Sequence, residues 1–277
     1  MPRPKAAPAL EDPVAALRHI LPPDVHVGGG PIGLLQRPLP ATERAVLVRA
    51  RGGRISEFTA GRSAARDALA DCGVLQAVLP QSKGGPPVWP AGFTGSISHA
   101  RGWALAVCGP TAAVGGLGVD LELLQPDLEL STVATRAEIA QTTDNLAGRL
   151  FSAKEAAYKA QYPLTGRMLD FDEVEVTFAP THRSFSRETG ALVVTPFTAR
   201  LLPAAAPLPA LYDMQGVQVN ALDMVISLVT LPAGAGGAPE TPPLAKPPAA
   251  LLTLAGAGLG RWLHGLFARL TALGQRR

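Results

Sequence analysis

Three carboxylates and one lysine stand at spacings that suit the chemistry of a phosphate ester. Asp120 and Glu122 are two residues apart in the sequence GVDLE, and Glu155 and Lys159 are four apart in the sequence FSAKEAAYKA. On a strand, alternate residues share a face, so Asp120 and Glu122 would point to the same side. On a helix, Glu155 and Lys159 would lie one turn apart. Three carboxylates suit Mg²⁺, and a metal ion together with a lysine beside a phosphate is typical of sites that catalyse phosphoryl transfer.

A cluster of arginines precedes these carboxylates in the chain. Between residues 44 and 66 there are six arginines and a single acid, Glu57. Such a cluster favours a polyanionic ligand. The clustered residues are Arg44, Arg49, Arg51, Arg54, Arg62 and Arg66. Over the whole chain 25 Lys and Arg exceed 22 Asp and Glu by only 3, and from this mild excess we expect no nucleic-acid partner.

Each of these signals also has an ordinary structural explanation. Glu155 fits a capping box that starts three residues earlier, and with Lys159 it fits a surface pair one helical turn apart. Asp120 and Glu122 also fit the solvated face of a strand. The arginines fit a solvated helix face, and a lone histidine such as His99 is usually a hydrogen-bonded structural residue. Their joint occurrence favours a functional site, because independent coincidences would have to multiply.

Hydrophobic periodicity and turn residues predict the elements that position these side chains. We expect helices over residues 13–20, 42–72 and 137–161, the second one stopped by Gly73. The predicted strands are 25–27, 97–99, 103–108, 117–124, 171–178, 191–201 and 217–228, and residues 81–95 form a predicted loop. This order predicts an α+β fold with two α/β halves, residues 1–116 and 117–231.

The composition changes after Leu231. Residues 232–250 are almost entirely Pro, Ala and Gly, which predicts a linker. Residues 251–277 predict an amphipathic helix with four arginines and no acid. Its apolar stripe consists of Leu259, Trp262, Leu263, Leu266, Phe267 and Leu270. Such a helix on a linker can contact a membrane surface, dock in a partner's groove or fold back on the parent domain, and the sequence leaves all three open.

The composition also restricts the class of protein. Apolar residues make up 47% of the 277 residues, which excludes a disordered chain and allows a sizeable core. The N-terminus lacks the apolar core of a signal peptide, and no uncharged apolar run is long enough to span a membrane. Cys72 and Cys108 are too few for a disulfide framework and lack metal-site spacing. We therefore expect a cytoplasmic protein.

With these residues in view, the chain resembles the 4′-phosphopantetheinyl transferase superfamily, specifically the type of enterobactin synthetase component D. Five segments occur in the order of the family, from about residue 49 to residue 178, with a looser match to 228. Any one of them is a weak signal, and five in sequence are a strong one. The segments are Arg54–Phe58 with Gly61 and Arg62, Lys83 before Pro87–Gly92, Gly95–His99, Gly118–Glu122 and Phe151–Ala160.

The resemblance implies a reaction and a fold. Such enzymes move the phosphopantetheine arm of coenzyme A to a serine of an apo acyl or peptidyl carrier protein and release adenosine 3′,5′-bisphosphate. Their fold is a pseudo-dimer of two similar α/β halves, with coenzyme A and Mg²⁺ in the cleft between them. Fatty acid, polyketide, siderophore and other peptide pathways all present such a serine, so the carrier protein stays open. Mn²⁺ in place of Mg²⁺ stays open as well.

The resemblance also implies roles for individual residues. The metal would be held by Asp120, Glu122 and Glu155. Coenzyme A would be bound by Arg54, Arg62, Lys83, Ser98 and His99, chiefly at its phosphates, and by Asp120, Glu155 and Lys159 around its pyrophosphate. We expect Glu155 to be the base that takes the serine proton, and Lys159 to stabilise or protonate the departing bisphosphate.

Two other functions compete with this interpretation. A metal-dependent pyrophosphate hydrolase would usually carry more glutamates on one helix than the single Glu155 present here. A coenzyme A-binding module without turnover would fit an incomplete metal site, whereas all three carboxylates are present. Gly166 stands where the family often has another basic residue, which would weaken contact with an acidic carrier protein unless Arg167 compensates.

Overall fold

Helices are followed by runs of strands in the part of the chain that the computed structural model describes, residues 12–81, 85–124, 128–141, 143–186, 190–202 and 213–235. The helices in these ranges are α1 (Pro13–Arg18), α2 (Ala41–Arg44), α3 (Gly52–Asp71), α4 (Arg136–Ile139) and α5 (Leu146–Thr165). The strands are β1 (His26–Pro31), β2 (Phe93–Ala100), β3 (Trp103–Pro110), β4 (Val114–Leu123), β5 (Val174–Phe178), β6 (His182–Ser186), β7 (Gly190–Leu201), β8 (Asp213–Ala221) and β9 (Met224–Pro232).

The strands form two antiparallel sheets. The first has the order β1-β3-β2, and the second has the order β4-β9-β8-β7-β5, with β6 paired to β7. The mixed helix and sheet content confirms the predicted α+β class. The second sheet begins at Val114, close to the predicted boundary between residues 116 and 117. That boundary and the pseudo-dimer stay predictions.

Strand β4 shows how the layers are arranged. Its residues Leu117, Val119 and Leu121 are buried in a core shared with β1, β3 and β9, so this face looks toward the first sheet. The alternate residues of β4 face α5, which packs on the opposite side of the second sheet. Helix α3 packs in the same way on the outer side of the first sheet. The predicted alternation along residues 117–124 is therefore confirmed.

Helix α3 ends where the sequence predicts. Gly73 has φ = 81°, a backbone conformation that favours glycine. The N–H of Gly73 donates to the carbonyl of Ala70, and the N–H of Val74 donates to that of Leu69, both at 2.9 Å. This pair of bonds is a Schellman motif, which stops the helix.

Two predicted helices are each broken into two. Residues 42–72 form α2 and α3 with a short 3₁₀ turn after α2, because Arg51 is extended and the adjacent Gly52 and Gly53 weaken a continuous helix. Residues 137–161 form α4 and α5, separated by a turn that ends at Asn145 with φ = 56°. Asparagine tolerates this left-handed conformation and favours turns.

Several predicted strands differ in extent. Strands β2 and β3 are longer than predicted, so that residues 93–95 are strand and not loop, and the strand predicted over 171–178 begins only at Val174, after a 3₁₀ turn. Two further differences are larger. The strand predicted at residues 25–27 continues through three glycines to Pro31, because α3 packs closely on β1. A Cβ added to Gly28 would lie 2.7 Å from Ala68 N. The segment predicted as one strand over 217–228 is a hairpin that reverses at Leu222, which has φ = 55°. No glycine or proline marks this turn, so the pattern did not reveal it.

Some predictions lie outside the described residues. They include Lys83, nearly all of the predicted linker and the predicted amphipathic helix over residues 251–277. Within the described ranges, no helix is both long enough and apolar enough to cross a membrane.

Candidate active site

Close packing between α5 and β4 builds the centre of the site. Gly118 faces α5, and an added Cβ would lie 2.7 Å from Ala160 N and closer still to Ala156 O. The helix meets the strand with fully buried alanines, including Ala153, Ala156 and Ala160. A glycine opposite small residues lets the two backbones approach, which places Asp120 next to the side chains of α5.

Asp120, Lys159 and Ser98 are joined by hydrogen bonds from three different elements. Lys159 Nζ donates to Asp120 Oδ1 at 2.7 Å and to the carbonyl of Val119 at 3.2 Å. Ser98 Oγ on β2 donates to the same Asp120 oxygen at 3.1 Å and accepts from the N–H of Leu121 at 3.1 Å. The structure thus brings together three of the predicted site residues, and it links the two sheets through Ser98.

The other two carboxylates lie in the same electrostatic environment. Burial and the neighbouring Asp120 raise the pKa of Glu122 to about 7, although the Leu123 N–H opposes this. Burial also raises the pKa of Glu155, with Lys159 opposing and Asp120 and Glu122 adding to the rise. A cation bound beside these groups would oppose the rise and favour the ionised form of each.

The donor set fits the implied Mg²⁺. Two buried carboxylate oxygens, Asp120 Oδ2 and Glu155 Oε1, have no hydrogen-bond partner among the described residues. A buried anionic oxygen without a donor is costly, and a cation would satisfy both. Across the described ranges, no group of three or more His, Cys, Asp or Glu is already drawn together as a metal cluster. The assignment of Asp120, Glu122 and Glu155 as the metal ligands therefore stays a prediction.

Lys159 keeps its positive charge in this site. Burial lowers its pKa, but the attraction of Asp120, Glu155 and Glu122 outweighs burial and raises it above the ordinary value. Its side chain is 25% exposed, against 7% for Asp120, so it is the more accessible partner of this ion pair. A lysine that keeps its proton there can offset charge on a phosphate.

A second group of charged residues adjoins the first. Arg54 Nη1 lies 3.3 Å from His99 Nε2, and Glu57 Oε2 lies 3.9 Å from Arg54 Nη1 and 4.0 Å from His99 Nε2. Burial lowers the pKa of His99, and Arg54 and Lys159 lower it further, while Glu57 and Asp120 oppose this. His99 therefore connects the arginine cluster with the carboxylates. Sequence reasoning gave Glu57 no role, although its i+3 spacing from Arg54 would have indicated this pair.

Arg62 is buried, whereas a clamp on a phosphate of coenzyme A would need an accessible guanidinium group. It is 4% exposed, donates to the carbonyl of Leu79 at 3.0 Å and to Gln81 Oε1 at 2.7 Å, and stacks over the ring of Phe58. Burial lowers its pKa to about 10. These contacts fasten the segment after α3, and the role of Arg62 toward coenzyme A stays a prediction.

Sequence reasoning also missed a buried ion pair beside Glu155. Lys154 Nζ donates to Glu138 Oε2 at 2.8 Å, to the carbonyl of Val133 at 2.8 Å and to that of Phe171 at 2.7 Å. All three ammonium protons are used, and both side chains are at most 1% exposed. The pair joins α5 to α4, and the two carbonyl bonds join α5 to the segments around Val133 and Phe171. No local signal separates this lysine from a solvated one.

Comparison with known proteins completes the description of the site. The 4′-phosphopantetheinyl transferase N-terminal domain profile matches residues 42–109, and the 4′-phosphopantetheinyl transferase superfamily profile matches residues 116–202. The chain is 34% identical over 212 residues to the 4′-phosphopantetheinyl transferase Svp of Streptomyces mobaraensis, covering 72% of this chain and 81% of that protein.

Two further relatives match shorter parts. The 4′-phosphopantetheinyl transferase PptT of Mycobacterium tuberculosis is 37% identical over 149 residues, which are 51% of this chain and 65% of that protein, slightly less than two thirds of its length. Enterobactin synthase component D of Salmonella typhi is 32% identical over 190 residues, 64% of this chain and 72% of that protein. The relatives support a transferase enzyme and confirm the resemblance: the chain belongs to the 4′-phosphopantetheinyl transferase superfamily.

Proposed function

We propose that this protein transfers the 4′-phosphopantetheine arm of coenzyme A to a serine of an apo acyl or peptidyl carrier protein, in a reaction that depends on Mg²⁺. The observation that carries the proposal is the convergence of Asp120, Lys159 and Ser98 from three elements, with unpartnered carboxylate oxygens on Asp120 and Glu155. Membership of the transferase superfamily and the names of the relatives support the same reaction.

The charges of the site suit the substrate. Coenzyme A carries a 3′-phosphate and a pyrophosphate, and Arg54 beside His99 offers donors for such anions. Asp120, Glu122 and Glu155 would hold Mg²⁺. The metal, when bound, would offset the negative charge that develops on the pyrophosphate.

In the proposed reaction, Glu155 takes the serine proton and Lys159 offsets the charge of the leaving group. The serine oxygen bonds to the phosphorus that carries pantetheine, the bond from that phosphorus to the bridging oxygen breaks, and adenosine 3′,5′-bisphosphate leaves. We assign Glu155 as the base that takes the serine proton, because it is the α5 carboxylate in the same environment as Asp120 and Lys159. The raised pKa of Lys159 favours its keeping the proton, so it stabilises the leaving bisphosphate as a positive charge.

An intact-mass assay tests this proposal. The purified chain is incubated with coenzyme A, Mg²⁺ and a panel of apo carrier proteins, with and without a chelator. We expect the carrier to gain the mass of one phosphopantetheine arm, and the chelator to abolish the gain. Asp120→Ala should lower the rate by at least about a hundredfold, since it removes a proposed ligand of the Mg²⁺ that would offset the charge of the transition state.

The same assay includes a control variant and distinguishes the transferase from a hydrolase and from a binding module. Asp24→Ala removes an exposed aspartate just before β1 and should leave the rate unchanged. Hydrolysis of coenzyme A to phosphopantetheine without any carrier would support a pyrophosphate hydrolase instead. Binding of coenzyme A without turnover on any carrier would support a binding module. Full activity of Asp120→Ala would overturn the metal assignment.

A further inference from the structure

Ser98 has a hydroxyl group whose orientation is determined by its neighbours. Its Oγ is buried and lies 3.1 Å from the Leu121 N–H, 3.4 Å from Lys159 Nζ and 3.1 Å from Asp120 Oδ1. The backbone N–H and the ammonium can only donate, so the hydroxyl accepts from them. The single hydroxyl proton is therefore directed at Asp120, and none is left for a phosphate oxygen of coenzyme A.

The consequence for Asp120 is an asymmetric carboxylate. Its Oδ1 accepts from both Ser98 and Lys159, whereas its Oδ2 is buried without a partner in the described part of the chain. Two donors on one oxygen fix the plane and the rotamer of the side chain. The oxygen left over is the one that a cation would take.

The backbone around Asp120 is fixed by the same two side chains. Strand β4 lies at the edge of the six-stranded sheet, and two of its backbone groups are bonded by side chains from outside that sheet. Ser98 accepts from the Leu121 N–H, and Lys159 donates to the Val119 carbonyl. Ser98 therefore holds both the strand on which Asp120 lies and the carboxylate itself.

We infer that Ser98 is a positioning residue, which orients Asp120 for a divalent cation and does not bind coenzyme A through its hydroxyl. The inference rests on the proposed function. Lys159 alone cannot supply this orientation, because its long flexible side chain is also attracted to the phosphates of the substrate. Ser98 has one rotatable side-chain bond on a paired strand, so its bond to Asp120 persists when Lys159 moves.

Direct binding of Mn²⁺ tests the inference without turnover. Mn²⁺ affinity is measured by electron paramagnetic resonance on the full chain, with no coenzyme A or carrier present. We expect Ser98→Ala to weaken Mn²⁺ binding by about tenfold, the effect typical of losing a group that orients a metal ligand. Ser98→Thr keeps the hydroxyl and should recover most of the affinity. Ser96→Ala, which changes a buried serine two residues earlier on the same strand, should bind Mn²⁺ like the wild type.

Two further readouts separate positioning from general damage to the fold. In the transfer assay, Ser98→Ala should need more Mg²⁺ but approach the wild-type kcat when Mg²⁺ is saturating. Its affinity for coenzyme A in chelator should equal that of the wild type. Circular dichroism and thermal unfolding confirm that each variant is folded before these comparisons.

Several outcomes would overturn the inference. Wild-type Mn²⁺ affinity in Ser98→Ala would do so, as would a loss of coenzyme A affinity in chelator with unchanged Mn²⁺ binding. Absence of Mn²⁺ binding by the wild-type protein would remove the cation that Asp120 is supposed to face. Failure of the proposed function is a separate result, namely no transfer by the wild type to any carrier protein.

Discussion

Glu122 offers a quantitative test of the electrostatics of the site. Burial and the neighbouring Asp120 raise its pKa to about 7, from an ordinary value of 4.5. A carboxyl group with a raised folded-state pKa binds its proton more tightly in the folded protein than in the unfolded chain. Its contribution to stability is therefore fully present below pH 4.5 and is lost as the pH rises toward 7.

The substitution Glu122→Gln removes this titration and keeps the shape. The amide oxygen can still accept from the Leu123 N–H, which lies 2.7 Å from the carboxylate. The difference between 7 and 4.5, at about 1.4 kcal/mol for each pKa unit, corresponds to about 3–4 kcal/mol. Glu122 is half-buried, so solvent screening reduces this value. We expect the variant to be more stable than the wild type by about 1–3 kcal/mol at pH 8, and equally stable at pH 4.

Urea unfolding in chelator between pH 4 and pH 8 measures this difference. Glu129→Gln, which changes an exposed glutamate, is the matched control and should follow the wild type at every pH. Mg²⁺ at a hundredfold its Kd should raise the free energy of unfolding of the wild type by about 2.7 kcal/mol, and that of Glu122→Gln by less. If the wild type and Glu122→Gln lost stability in parallel across this range, Glu122 would not have a raised pKa and the reasoning would be refuted.

Three other predictions concern the packing of α5 and the C-terminal segment. Gly118→Ala places a Cβ against the backbone of α5 and should lower stability by about 1–3 kcal/mol, seen as a fall in Tm of several degrees, and a wild-type Tm would contradict the close packing. Lys154→Met leaves the buried Glu138 unpaired and should cost about 3–5 kcal/mol in urea unfolding, part of which Glu138→Gln should restore in the double variant; no recovery would argue against the ion pair. Deletion of residues 237–277 should spare transfer to a soluble carrier protein but reduce sedimentation with anionic vesicles, and unchanged vesicle binding would exclude the membrane contact.

The parts of the site that sequence could predict are those set by local periodicity. Asp120 and Glu122 share a face of β4 because a strand repeats every two residues, and Glu155 and Lys159 share a face of α5 because they lie one turn apart. The small residues opposite Gly118 are also visible in the sequence. That they allow α5 to approach β4 closely is known only when the two elements are seen to pack together.

The parts that sequence could not predict depend on contacts between distant segments. The role of Ser98 requires β2 to lie beside β4, so that its hydroxyl meets a side chain 22 positions later. In the sequence, Lys154 resembles any lysine on a helix. Its burial depends on the carbonyls of Val133 and Phe171, which accept from its ammonium group in the folded chain. In the sequence, Arg62 cannot be told apart from the exposed arginines near it. Its burial depends on a contact with the distant segment around Leu79.

The location of the site at a sheet edge explains why both sheets contribute to it. An edge strand exposes backbone groups that another strand would otherwise pair, and such groups need partners when they are buried. On β4 these partners are the side chains of Ser98, from the other sheet, and Lys159, from α5. The same two side chains also bond Asp120, so the contacts that close the edge of the sheet are the contacts that shape the site. Loss of the approach between β2 and β4 would therefore release Asp120 from Ser98, and with it the orientation that we propose for a cation.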